Sequence, residues 1–226
     1  MAAPSLLMHA AAWSQILPPL ALVVTKGGRS AASWWISAGS LVSLGSDLAQ
    51  RVLGTRGINN LWLSYALTPL MGGAFLWAMA SMQPGNVGRL ALRLTVPAYL
   101  VAWYGLTLTA EDTGTFSSFA YPFHSLLLLA AALWTLVVRG LEPSERQVLR
   151  TDWFWILGGL ALYAAATAAI EPLFARMLRE RVDLVIAAYQ FRAGAIVVAF
   201  LAITWGILCQ RRATRSGPSS SPARSG

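Results

Sequence analysis

The sequence predicts an all-α integral membrane bundle of seven transmembrane helices joined by short loops. Three observations predict it. Hydrophobic residues fill 56% of the 226 positions and charged residues only 12%; a soluble domain carries about 25% charged residues, so this chain cannot clothe itself in a polar surface. The mean hydropathy is +0.56. The apolar residues gather in seven blocks, each near the roughly 20 residues that carry a helix across a hydrocarbon core of about 30 Å.

The first block, 6–24, is interrupted by Pro18 and Pro19. It reads as an uncleaved span, because no basic segment precedes it and its Ala-rich stretch comes before the apolar run, the reverse of a leader's order. The second covers 34–53. The third, 60–82, contains Pro69, which is expected to bend it, and the fourth, 90–109, contains Pro97. The fifth, sixth and seventh cover 121–138, 153–174 and 184–209. Together they make a transmembrane domain over 1–212. Residues 213–226, ATRSGPSSSPARSG, have the composition of a disordered basic tail.

The net charge is +8 and the pI near 10.6. In a soluble domain that balance suggests nucleic acid. Here the basic residues sit in loops and tail, where they orient a membrane protein, so no nucleic-acid partner is expected. The lipid bilayer is the first partner expected; a small-molecule ligand, and a membrane-protein partner or a second copy, come after it. With the N-terminus outside, ten Lys and Arg residues fall on the inner side and five on the outer, and the loop holding Glu111 and Asp112 has none. This points to N-terminus out and C-terminus cytoplasmic. One lysine against sixteen arginines, with abundant Ala and Gly, is the bias of a GC-rich genome and points to a bacterial inner membrane. Trp34, Trp35, Trp153 and Trp155 are expected at the inner interface and Trp62 at the outer.

Several chemistries are excluded. Cys209 is the only cysteine, and His9 and His124 are the only histidines, so no disulfide, thiolate cluster or multi-imidazole metal site is expected. No cofactor is implied: the last span has no lysine for a retinal Schiff base, and no P-loop, nucleophile elbow or di-aspartate motif occurs. Ser125 beside His124 does not make a dyad, because adjacent helical residues point about 100° apart. No residue is assigned a catalytic role.

Ionisable groups inside spans remain: Asp47, Arg93, His124, Glu171 and Arg192. Each costs about 2.5–3.5 kcal/mol to insert, so each implies pairing or function. At about 1.5 Å per residue, Asp47 lies roughly 20 Å from the inner face and Arg192 roughly 12 Å below the outer, nearly the same depth in a core of about 30 Å. Glu171 and His124 fall nearer the outer face, and Arg93 snorkels to the inner.

Helical spacing joins these residues into stripes: Ser37, Ser40, Ser43, Asp47 and Arg51; Asn60, Ser64, Thr68 and Gly72; Tyr163, Thr167 and Glu171; Tyr189 and Arg192. The candidate ligand site is therefore Asp47, Asn60, Tyr163, Glu171, Tyr189 and Arg192, with Arg51, Ser64 and His124 as possible additions. They predict a polar cavity open to the outer side and closing near Gly72 and Gly73. Structural alternatives stand beside this reading: an intrahelical Asp47–Arg51 pair, a packing pair between Arg192 and Asp47 or Glu171, close helix contacts at Ser37, Ser40 and Ser43, and an interfacial His124. The functions that fit are transport of a small polar or anionic molecule, sensing or accessory work through a partner, and lipid modification with Glu171 or Asp47 as base and His124 as acid.

The segments SWWISAG (33–39) and WFWILGG (153–159) echo each other at the starts of the second and sixth spans. Two three-helix units joined by a single helix would make those spans equivalent, a plan found among sugar transporters, whose proline–glutamine motif is absent here.

The topology is tested by thiol labelling. In intact cells a membrane-impermeant reagent is expected to leave Cys209 unlabelled and to label Thr113→Cys; the reverse pattern overturns the orientation.

Overall fold

The computed structural model describes residues 6–25, 30–114, 117–142, 148–180 and 182–215. Regular structure among them is helical, with no strand. The helices are α1 (Leu6–Ser14), α2 (Leu17–Val24), α3 (Ala31–Thr55), α4 (Leu61–Met82), α5 (Asn86–Ala110), α6 (Ala120–Gly140), α7 (Asp152–Glu180) and α8 (Val182–Arg215). They overlap the expected blocks and run past most of their ends, because capping and turn chemistry stop a helix where hydropathy alone does not. Ser30 caps α3, its Oγ accepting from Ser33 N at 3.2 Å. Gly57, at φ 69°, supplies the left-handed residue of the turn into α4. Because α8 is helical to Arg215, the expected tail begins inside it; the rest of that tail lies outside the described residues.

The first block is two helices. The chain turns at Gln15 and Ile16, and α2 restarts with Pro18 in its first turn, where a missing N–H costs nothing. By contrast α4 continues through Pro69 and α5 through Pro97.

Five helices are long and apolar enough to cross a membrane: α1 with α2 (Leu6–Val24), α4, α6, Asp152–Ile170 of α7 and Leu184–Cys209 of α8. The 25-residue helices α3 and α5 match them in length but carry Asp47 and Arg51, and Arg89 and Arg93, respectively. The exterior is what a membrane protein presents. Trp13, Leu20, Leu41, Leu70, Leu94, Val101, Leu126, Val198 and Leu201 are all exposed. Of the tryptophans expected at interfaces, Trp34, Trp35 and Trp62 are exposed and Trp155 is half-buried, but Trp153 is only 2% exposed. It packs beneath the Arg139 guanidinium, 5.8 Å from the ring centroid, because it takes the buried position of α7 that faces the core.

α4 is the most enclosed helix, packed between α3, α5 and α6. The pairs α7–α8 and α3–α4 pack most extensively, and in both a glycine lets the helices close up. A Cβ on Gly39 of α3 would stand 2.6 Å from Phe75 of α4, and one on Gly159 of α7 would stand 2.6 Å from the Ala199 carbonyl of α8. These are the last glycines of the two echoed segments. Positions 33, 36, 37 and 39 are buried, as are 153, 156, 157 and 159, while 34, 35 and 38 are exposed and 154, 155 and 158 are half-buried. Contacts repeat too: α3 packs on α2 and α4 as α7 packs on α6 and α8, and α4 meets α6 as α8 meets α1 and α2. Exchanging the two halves leaves this packing order unchanged, with α5 standing outside it against α4 and α6.

Gly159→Ala is expected to destabilise the bundle by about 1–3 kcal/mol, since the methyl meets backbone that cannot give way. Gly158→Ala, whose Cβ would meet nothing within 4 Å, is expected to hold or raise stability. Thermal melting of the two variants in detergent checks the contrast.

Candidate functional site

A single cavity of about 790 Å³ gathers polar residues from α1, α3, α4, α6, α7 and α8. Such a volume suits a small molecule. On α3, Ser43, Ser46, Asp47, Gln50, Arg51 and Gly54 line it, at the three- and four-residue steps that place them on one helix face. Tyr163 comes from α7, and Tyr189, Arg192, Ala193 and Ile196 from α8. From α4 come Asn60 at its cap, then Ser64, Tyr65, Leu67, Thr68 and Met71.

Asp47 is held from α1. The Gln15 amide donates to Asp47 Oδ2 at 2.7 Å. Arg192 and Arg51 both act on Asp47 electrostatically, yet Asp47 forms an ion pair with neither. Arg51 is turned instead to the start of α1, where Nη1 lies 2.7 Å from His9 Nδ1 and Nη2 donates to the Met8 carbonyl at 3.2 Å. The expected intrahelical Asp47–Arg51 pair is therefore not formed. The Asn60 amide donates to the Gln50 carbonyl at 2.6 Å, tying the end of α3 to the start of α4. The Tyr163 hydroxyl reaches Met71 Sδ at 3.8 Å, and its ring stands edge-on to Phe75 and Phe200, with centroids 6.2 and 6.0 Å away. Met71 and Tyr163 line the cavity, while Phe75 and Phe200 lie outside its lining, against the Tyr163 ring.

Of the residues expected in the site, Asp47, Asn60, Tyr163, Tyr189 and Arg192, with Arg51 and Ser64, line this one cavity. The Glu171 side chain lies outside the described ones. His124 is corrected: it is 1% exposed and does not line the cavity. Its Nδ1 lies 2.8 Å from the Tyr99 hydroxyl, and its ring meets Trp103 edge-on at 5.9 Å. The physical reason lies across from it on α4. Gly72 has no side chain, and a Cβ there would stand 2.7 Å from His124 Cε1, so the imidazole fills the space that glycine leaves. The serine stripe of α3 also divides. Ser43 reaches the cavity, whereas Ser37 and Ser40 are buried in packing, Ser40 donating to the Ile36 carbonyl at 2.8 Å.

Sequence reasoning missed the contribution of α1. His9 of α1 and Gln15 of the turn that follows it are strongly polar, and a polar side chain in an otherwise apolar span needs a partner; that signal was present. It also missed the rim of α6. Ser117 and Tyr121 line the cavity, and the Tyr121 hydroxyl is 2.8 Å from Thr68 Oγ1.

That rim is organised by Glu111. Its Oε1 accepts from Ser117 Oγ, Phe119 N and Ala120 N at 2.8, 2.7 and 2.8 Å, and its Oε2 from Ser118 N at 3.1 Å and the Tyr65 hydroxyl at 3.4 Å. The carboxylate thus occupies the N-terminus of α6, where free N–H groups and the helix dipole favour an anion. Partial burial pushes its pKa up, but the three backbone N–H donors and the Ser117 hydroxyl outweigh that and hold it below the ordinary carboxylate value.

Comparison of the chain with family models, curated proteins and solved structures finds no match.

The Glu111 clasp has a pH signature. A carboxyl whose folded pKa is depressed contributes stability that is present above its unfolded value and lost as pH falls through the folded one. Thermal stability is therefore expected to fall progressively below the ordinary value of 4.5. Glu111→Gln is expected to remove that pH dependence and to cost about 1–2 kcal/mol at neutral pH, solvent screening keeping it modest. Melting temperature against pH for both proteins checks it.

Proposed function

We propose that the chain is an integral membrane protein of seven spans, N-terminus outside and C-terminus cytoplasmic in a bacterial inner membrane, that binds a small polar or anionic molecule in this cavity and transports it. The observation that carries the reading is the convergence of Asp47, Arg51, Asn60, Tyr163, Tyr189 and Arg192 on one cavity, inside helices whose outward residues are apolar. Ionisable groups in such a setting are costly unless they serve a site.

α3 and α5 supply the sixth and seventh spans. At 25 residues each they are long enough, at about 1.5 Å per residue, to cross. The charges of α3 face the cavity instead of lipid. Those of α5 lie in its first two turns, where Arg93 stacks on Trp77 at 5.5 Å and Arg89 donates to the Gln83 carbonyl at 3.1 Å; both can reach an interface. Arg192 is the anchor for an anionic group, with Asn60, Tyr163 and Tyr189 to orient the molecule. Lipid modification is the weaker reading, because its expected acid, His124, stands outside the cavity.

Uptake into proteoliposomes tests the reading, with a set of radiolabelled carboxylates, phosphates and amino acids. The parent is expected to accumulate at least one. Arg192→Leu and Asp47→Asn are expected to reduce that uptake about tenfold or more, the loss of one charged hydrogen bond, while Gly158→Ala leaves it unchanged. Unaltered uptake in both site variants would place the site elsewhere. A solute that raises the melting temperature without being taken up would identify a sensor or accessory subunit.

A further inference from the structure

We propose that Asp47 and Gln15 form a proton-binding site in the cavity, an acid–amide pair that one proton closes, and that the proton taken up there is the ion that drives transport. This rests on the cavity transporting a solute and goes further by naming what moves with it.

The first observation is a pair of hydrogen bonds of which only one is made. The Gln15 amide donates from Nε2 to Asp47 Oδ2 at 2.7 Å. Gln15 Oε1 is buried without a donor, and among the described residues no hydrogen bond reaches Asp47 Oδ1. A carboxylic acid and a primary amide complement each other through two bonds. The amide N–H donates to one carboxyl oxygen, and the carboxyl O–H donates to the amide oxygen. The first bond is in place. The second requires a proton on the carboxyl group, since an ionised carboxylate and an amide oxygen are both acceptors only.

The second observation is that the amide is held where it is. Gln15 is 4% exposed, and its backbone N–H donates to the Ala12 carbonyl at 3.3 Å in the turn after α1. Burying an amide oxygen with no donor costs about 1–3 kcal/mol. A side chain carrying donors only, such as lysine or arginine, would suit a permanently ionised Asp47. An amide offers a donor to the ionised form and an acceptor to the protonated one.

The surroundings leave this role to the proton. Arg51, on the same helix, is turned to His9 and the Met8 carbonyl of α1. Arg192 of α8 acts on Asp47 through space without forming an ion pair with it. Tyr189 of α8 and Tyr65 of α4 line the same cavity, and α2 carries no titratable side chain. Asp47 is half-buried and, with Gln15, lines the cavity, so a hydronium ion entering it reaches the carboxylate. The proton passes to the carboxylate, leaving water and an uncharged acid, and returns to water when the cavity opens to the other side. An ionised group inside the membrane costs about 2.5–3.5 kcal/mol. Rearrangement of the bundle around Asp47 is therefore easier in the protonated form, which ties movement of the solute to movement of the proton.

The test begins with infrared difference spectroscopy of the full-length protein in lipid nanodiscs, between neutral and acid pH. The parent is expected to gain the carbonyl stretch of a protonated carboxyl group that Asp47→Asn lacks. In Gln15→Leu that band is expected to move to higher frequency, because both bonds to the amide are gone. Should Asp47→Asn fail to fold, Asp47→Glu keeps a carboxyl group and is expected to keep a band. Spectra of the parent and Asp47→Asn that agree would overturn the site. The second arm is uptake of the same carboxylates, phosphates and amino acids by proteoliposomes, measured against protein-free liposomes, with the potential clamped by valinomycin and equal potassium. An interior about one pH unit more alkaline is expected to raise accumulation about tenfold, one proton for each solute. Uptake that ignores the pH gradient, or follows a sodium gradient instead, would overturn proton coupling while leaving a transporter standing. The Asp47 band without uptake of any solute would uphold the proton site and overturn the transport reading beneath it.

Discussion

A carboxylate at the level of Asp47, in a bundle of this composition, must be partnered, and the arrangement of the first helices follows from how that is met. Leaving it bare would cost about 2.5–3.5 kcal/mol or more. The partner is Gln15, which reaches Asp47 because α1 ends at Ser14 and the chain turns before Pro18. A continuous helix from Leu6 to Val24 would set the direction of both segments by one axis. The break lets α1 lie against α3 and α8 while α2 packs on α3 and α8 below it. The same short helix then receives the Arg51 guanidinium on His9 and the Met8 carbonyl. Two costly groups of α3 are satisfied by one neighbour, and that neighbour becomes a wall of the cavity.

The other half of the bundle is governed by the opposite requirement, contact without polarity. Gly39 and Gly159 bring α3 onto α4 and α7 onto α8, and Gly72 admits His124 between α4 and α6. Apolar helices in lipid gain little from hiding hydrophobic surface, so close approach at small residues is what holds them. Tyr163 lies where the two regimes meet. Its ring packs between Phe75 and Phe200, and its hydroxyl turns towards Met71, which also lines the cavity.

Much of this was legible in the sequence because it depended on helical period. Once Asp47, Asn60, Tyr163 and Arg192 are assigned to helices, their faces and depths follow from 3.6 residues and about 1.5 Å per residue, and these residues do share a cavity. What depends on a second helix was not legible. The place of His124 is decided by the absence of a side chain at Gly72, and the direction of Arg51 by the presence of His9. The burial of Trp153 is decided by α7 turning that face inward. The role of Glu111 belongs to the same class: a lone acidic residue in a loop carries no period, and its five acceptor contacts appear only when the chain from 117 to 120 folds back over it.

The clasp and the cavity are parts of one structure. Ser117 donates to Glu111, accepts from Tyr121 N at 3.0 Å and lines the cavity. Tyr65 reaches Glu111 with its hydroxyl, accepts from Trp103 Nε1 on its carbonyl at 3.0 Å and also lines the cavity. Thr68 and Tyr121 join α4 to α6 one turn further in. Three hydrogen-bonded contacts therefore fix the spacing of α4 and the start of α6. A cavity with an acid on one helix and a guanidinium on another would gain Coulomb energy by collapsing until the two met. It stays open because its walls are set by contacts outside it: the Glu111 clasp on one side, the Gln15 and His9 contacts of α1 on another, and the glycine-backed pairs beneath. Asp47 and Arg192 line that space from different helices without forming an ion pair with each other.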